Sequence, residues 1–202
     1  VEQTTSAVFS QLFMNDVADI DAVRLQNIQR NVTAGITRLG SFQLPNGGFS
    51  YWQGNTTADD WGSSYAGHFL IEAEKKGYVL PINFKQKWIS YQQKEAKNWR
   101  FVTQYGNDLA QAYRLYTLAL AGSPDLASMN RLRETNGISN ESKLRLASAY
   151  VLAGQKAAGM TLLSKSNIDE TNSGYNDYYY GSSDRNRAMT LVTLILFNSL
   201  VY

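Results

Sequence analysis

The sequence has no cysteine and a single histidine, His68, among its 202 residues. The first absence excludes disulfides, thiolate metal sites and a cysteine nucleophile within the chain; the second excludes a two-histidine zinc centre. Lack of cysteine does not fix the redox compartment, because a chain this long can bury a sufficient core without a disulfide. A charge excess is missing too. Nineteen Lys and Arg against seventeen Asp and Glu leave +2, which is no polycation for nucleic acid. A long apolar run is also absent: Ala188 to Tyr202 is interrupted by Thr190, Thr193, Asn198 and Ser199, so it reads as a buried helix and not a membrane span. What remains, 44% hydrophobic and 18% charged residues, is the balance of one globular domain over 1–202.

Apolar residues recur at helical spacing through almost every segment. The pattern runs through Val8, Phe9, Leu12 and Phe13, then Val23, Ile28, Val32, Ile36 and Leu39, then Tyr65, Phe69, Leu70 and Ala73. It continues through Phe84, Trp88 and Tyr91, through Leu109, Ala112, Tyr113, Tyr116 and Leu120, through Leu144, Ala147 and Val151, and through Met189, Val192 and Leu196. This predicts an all-α fold of about nine helices. Asp19 or Asp21, Ser123 with Pro124, and Ser139 mark helix starts, while Gly77 and Gly154 mark ends. The brief connections predict paired helical hairpins. Two aromatic segments break this rhythm, Phe42 to Trp61 and Tyr175 to Gly181 with Tyr178, Tyr179 and Tyr180. Each reads as a structured loop covering a rim, the first with Asn46, Gly47 and Gly48 supplying positive φ.

Within the first loop, Gln43, Gly47 and Phe49 stand as Gln-x-x-x-Gly-x-aromatic. The pattern resembles the repeat motif of α/α-toroid proteins such as terpenoid cyclases, with Phe where the cyclase pattern has Trp. That resemblance implies that Gln43 bonds to neighbouring helix ends while the ring packs beneath the turn. Its meaning is architectural.

A more specific resemblance joins Val1-Glu2-Gln3-Thr4-Thr5-Ser6 with Gly47-Gly48-Phe49-Ser50-Tyr51-Trp52 and the following Trp61, Tyr65, Ala66, Phe69, Leu70, Ala73, Gly77, Tyr78 and Pro81. Together these resemble the thioester-containing domain of bacterial α2-macroglobulins, complement-related protease traps. The family pattern is Cys-x-Glu-Gln at the head of a helix, then Gly-Gly-Phe-x-x-Trp, then a Trp/Tyr-rich helix. The resemblance implies a thioester motif at Glu2 and Gln3, the Gln3 acyl group being joined to a cysteine one position before Val1. It also implies a domain cut from a longer periplasmic or cell-envelope protein, with its toroid of hairpins incomplete at the C-terminus, where relatives continue with a Trp-x-Ser-Thr-Gln-Glu helix. The spacing has a physical basis: a Cys and a Gln three apart approach across one turn, and the helix N-terminus favours the departing thiolate. Thr4, Thr5 or Ser6 is expected to cap that entrance.

Other candidates have plainer accounts. His68 with Glu72 forms a possible general-base pair, but a helix-packing histidine is the simpler reading. Asp59 and Asp60 match the acid of an α/α-barrel enzyme on a terpenoid or glycan, yet immediately before Trp61 they read as a helix cap. Lys85, Lys87, Lys94, Lys97 and Arg100 read as a solvated face. The expectation is therefore a trapping module and not an enzyme, with no cofactor and no metal. Its implied partners are target proteases, held through Gln3, and other domains of the parent chain; nucleic acid and membrane insertion are not expected. The alternatives are the barrel enzyme, which requires a deep carboxylate-lined centre, and a thioester-less interaction module. The trapping domain requires Gln3 exposed at a rim.

Overall fold

Helical periodicity translates directly into helices in the computed structural model, which describes residues 1–103, 106–167 and 183–198. In chain order these are α1 (Glu2–Phe9), a 3-10 turn (Ser10–Phe13), α2 (Met14–Val17), α3 (Ala22–Leu39), α4 (Asp60–Lys75), α5 (Phe84–Asn98), α6 (Asp108–Leu120), α7 (Leu126–Glu134), α8 (Asn140–Leu152), α9 (Lys156–Leu163) and α10 (Ser183–Asn198). The fold is all-α, and the only β pairing among the described residues is two isolated bridges, Gln43 to Phe49 and Ser50 to Ala58. The second aromatic segment, Tyr175 to Gly181, lies outside the described residues. The chain divides into two compact units, Val1–Lys94 and Glu95–Tyr202.

Local signals set most boundaries. Asp21 caps α3 by accepting from the Arg24 N–H, and Ser139 caps α8 by accepting from Ser142. Gly77 and Gly154 follow α4 and α8 with φ of 89° and 74°, left-handed geometry that glycine adopts cheaply. The Ser123-Pro124 start is corrected. Helix α7 begins at Leu126, and its cap is Asp125, which accepts from Ser128 N–H. A carboxylate two residues on supplied a better acceptor than the serine before the proline.

In the first unit α1 packs on α3 and α4. The face of α3 that is buried comprises Ile28, Val32, Gly35, Ile36 and Leu39, while Val23 is exposed. Helix α5 lies against α4 because Gly67 has no side chain. A Cβ there would stand 2.0 Å from the Trp88 indole. The buried Trp88 ring thus reaches the α4 backbone, and its N–H donates to the Ser63 carbonyl at 2.7 Å. Gln92, also buried, donates to the Ser64 hydroxyl.

In the second unit α8 packs on α6, α9 and α10, and α7 packs on α6 and α8. Every residue of α6 from Asp108 to Ala119 is buried, so its polar groups require partners. Asp108 finds them at the head of α8: its Oδ2 accepts from the Ser139 N–H, the Ser139 hydroxyl and the Ser142 hydroxyl, each at 2.7 Å. Asp108→Ala leaves the buried Ser142 hydroxyl and the part-buried N–H and hydroxyl of Ser139 without this acceptor. A loss of about 3 kcal/mol is expected, read as a lower urea midpoint in unfolding followed by circular dichroism.

The expected inner face of α10 is also corrected. Val192 is 39% exposed, and among the described side chains of α10 the buried positions are Thr193 and Phe197. Thr193 pairs its hydroxyl with Ser148 of α8 at 2.8 Å, and the Phe197 ring fills the space above Gly159. A polar pair at a helix contact leaves no trace in apolar periodicity.

Candidate functional site

The loop between α3 and α4 is built by its glycines. Gly47 has φ of 95°, and a Cβ on it would fall 2.1 Å from the Lys87 carbonyl oxygen; one on Gly48 would meet Ala58 and the Tyr91 ring at 2.7 Å. The turn therefore lies directly against the backbone of α5. Gln43 fixes it there, its amide donating to the Gly47 carbonyl (3.2 Å) and to the Phe84 carbonyl at the start of α5 (3.0 Å). Phe49 is fully buried and meets Phe84 edge to face at 5.6 Å. This is the tie between turn and helix end expected of the glutamine motif.

With its first half clamped, the loop presents its second half, Tyr51 and Trp52, to the head of α1. The backbone nitrogen of Val1 donates to the Tyr51 carbonyl at 2.7 Å, and the Tyr51 hydroxyl donates to the Glu2 carboxylate at 3.3 Å. Val1 is buried against α4, where a Cβ on Gly62 would come within 2.6 Å of its Cγ1. Asp59 caps α4 from the same place, its carboxylate accepting from the Gly62 N–H. The heads of α1 and α4 thus converge.

Gln3 is exposed beside this junction. Gln3, Glu2, Arg38, Phe42, Tyr51 and Trp52 contribute to the lining of a cavity of about 260 Å³. Trp52 is 60% exposed and meets the Tyr51 ring edge-on at 5.1 Å. The entrance differs from expectation in its cap. The N-cap is Val1, with no side-chain hydrogen bond. Thr4, Thr5 and Ser6 lie inside α1: Thr5 donates back to the Val1 carbonyl, and Ser6 meets the Tyr65 hydroxyl. Serine and threonine cap only from the position before the first turn, and the helix begins too early for them to do so.

The other candidates sit elsewhere. His68 packs edge to face on Phe9 at 5.0 Å, and Glu72 forms an ion pair with Lys75 at 2.8 Å. Asp60 is the exposed first residue of α4. On α5 and just after it, Lys87, Lys94, Lys97 and Arg100 are exposed, while Lys85 pairs with Glu74. Among the described residues no group of three His, Asp or Glu is placed to hold a metal, and no helix is long and apolar enough to cross a membrane.

The all-α fold carries Gln3 exposed at the head of α1 beside the Gly-Gly-Phe loop, and the known proteins it is similar to are bacterial alpha-2-macroglobulins. No family model matches the chain. Alpha-2-macroglobulin of Escherichia coli strain K12 is 33% identical over 88 residues, 41% of this chain and 5% of that protein. Alpha-2-macroglobulin of Xylella fastidiosa strain Temecula1 is 26% identical across 94% of this chain and 12% of its own length. The structure of Salmonella alpha-2-macroglobulin reacted with methylamine matches 98% of this chain and 14% of that one, with a TM-score of 0.79 and 26% identity. Trypsin-activated alpha-2-macroglobulin from Escherichia coli shares the fold, with a TM-score of 0.77 and 22% identity over 98% of this chain and 15% of that one. The similarity to alpha-2-macroglobulins extends over nearly the whole chain, which spans about an eighth of the length of such a relative.

Proposed function

We propose that this chain is the thioester domain of a bacterial alpha-2-macroglobulin-like protein that traps proteases, with Gln3 as the acyl half of an internal thioester. The observation that carries the reading is the placement of Gln3, exposed at the head of α1 and lining a cavity with Tyr51 and Trp52. In the parent chain a cysteine one position before Val1 displaces ammonia from the Gln3 amide, forming the sulfur–acyl bond. Protease cleavage of a bait segment elsewhere uncovers that bond. A lysine amine of the protease then attacks the acyl carbon, an amide forms, and sulfur leaves as thiolate. The head of α1 suits that departure, because the positive end of a helix dipole favours an anion there.

In this reading the domain is a covalent trap and not an enzyme. It uses no cofactor or metal, its partners are target proteases and the other domains of its own chain, and it works in the periplasm or cell envelope. The methylamine-reacted and trypsin-activated relatives support this reading by their fold and sequence. The test is incubation of the full-length protein with trypsin, followed by a denaturing gel. A conjugate that survives denaturation is expected; complete release of free trypsin contradicts the covalent step.

A further inference from the structure

Resting on the thioester reading, we infer that Glu2, oriented by Tyr51, accepts the proton of the amine that attacks the Gln3 acyl group, which makes the cavity at the head of α1 selective for protonated primary amines such as a lysine side chain.

Neighbouring residues on a helix do not face one another, yet Glu2 and Gln3 both line this cavity, together with Tyr51 and Trp52. The cavity has a volume of about 260 Å³. Glu2 is the only carboxylate among its lining residues. Glu2 is half-buried and accepts from the Tyr51 hydroxyl, which leaves its other oxygen free to take a second donor. The exposed Trp52 indole adds a face attractive to a cation.

Arg38 of α3 lines the same cavity. Asp59, behind Val1, accepts from the Gly62 N–H and is engaged as the α4 cap. A lysine amine is almost wholly protonated near neutral pH, so its attack requires a proton acceptor at the site. In the step assigned here, the ammonium bonds to the Glu2 carboxylate and yields its proton to it. The freed nitrogen lone pair forms the bond to the Gln3 acyl carbon, and the carbon–sulfur bond breaks with its electrons on sulfur. The second nitrogen proton, lost as the amide forms, goes to the thiolate or to water.

The experiment follows thiol release from the full-length protein with two nucleophiles: methylamine, protonated near neutral pH, and hydroxylamine, mostly neutral there. In Glu2→Gln the thioester is expected to form, as shown by the mass decrease for loss of ammonia. The methylamine rate falls roughly 100-fold while the hydroxylamine rate changes little. Tyr51→Phe, which removes only the orienting hydroxyl, is expected to lower the methylamine rate by about tenfold. An equal fall for both nucleophiles in Glu2→Gln, or a full methylamine rate, overturns the inference while leaving the thioester reading intact. No thiol release from the unsubstituted protein with either nucleophile overturns the thioester reading itself, and the inference with it.

Discussion

Gln3→Ala in the full-length protein is expected to abolish denaturation-resistant conjugates with trypsin altogether. Alanine has no acyl group, so neither a sulfur–acyl bond nor an amide to lysine can form at position 3. The structural consequences should be slight. Gln3 is exposed, and alanine is the better helix former by a few tenths of a kcal/mol. The melting temperature is therefore expected to stay within a degree or two while the conjugate disappears. A conjugate undiminished by Gln3→Ala places the reactive acyl group elsewhere.

The largest loss of stability is expected from Gly47→Ala. Two costs fall on one methyl group. At φ of 95° an L side chain is strained, costing about 1–2 kcal/mol. The added Cβ would also stand 2.1 Å from the Lys87 carbonyl oxygen, a backbone atom that retreats only if α5 moves. Overpacking of this kind costs about 1–3 kcal/mol more, for a total of roughly 4 kcal/mol out of a normal 5–15. Gly77 separates the two terms, since its φ is 89° but nothing lies within 4 Å of a Cβ there. Gly77→Ala should cost only the strain, about 1–2 kcal/mol, as measured by urea midpoint. Equal losses in the two variants contradict the close approach of the turn to α5. Because the turn anchors the loop carrying Tyr51 and Trp52, Gly47→Ala should also slow thiol release.

The parts of this molecule that sequence foretells are those where one residue's chemistry decides locally. Asp21, Asp59 and Ser139 cap helices because a short polar side chain beside the first turn has an N–H to accept from. Gln43, Gly47 and Phe49 are read correctly because the motif packs its whole mechanism into seven residues. What sequence conceals is pairing between distant segments. Gly67 looks like a flaw in α4 until Trp88 is laid over it. Asp108 looks like a first-turn acid until Ser139 and Ser142 close around it. Thr193 sits where periodicity expects a polar surface, yet it is buried against Ser148.

The site divides in the same way. Glu2 and Gln3 stand out by their neighbours in sequence, and so do the two glycines of the loop. The hydrogen bond from Tyr51 to Glu2 spans 49 residues, and neither residue type announces it. Arg38, which shares the cavity, lies at the end of α3 in a helix whose spacing speaks only of its buried face. The caps expected from Thr4, Thr5 and Ser6 were misplaced for a related reason: composition indicates that a helix begins nearby but not at which residue. Here α1 begins at Glu2, so Thr4, Thr5 and Ser6 lie inside the helix and not before it.

One measurement bears most directly on the whole account: peptide mass analysis of the full-length protein before and after methylamine, across the segment that contains Val1, Glu2 and Gln3. The thioester reading predicts a methylamide on the Gln3 side chain, one newly titratable thiol per chain, and that thiol on the residue immediately preceding Val1. An unmodified Gln3 in freshly purified, methylamine-treated protein, or a residue without sulfur at the preceding position, contradicts covalent capture.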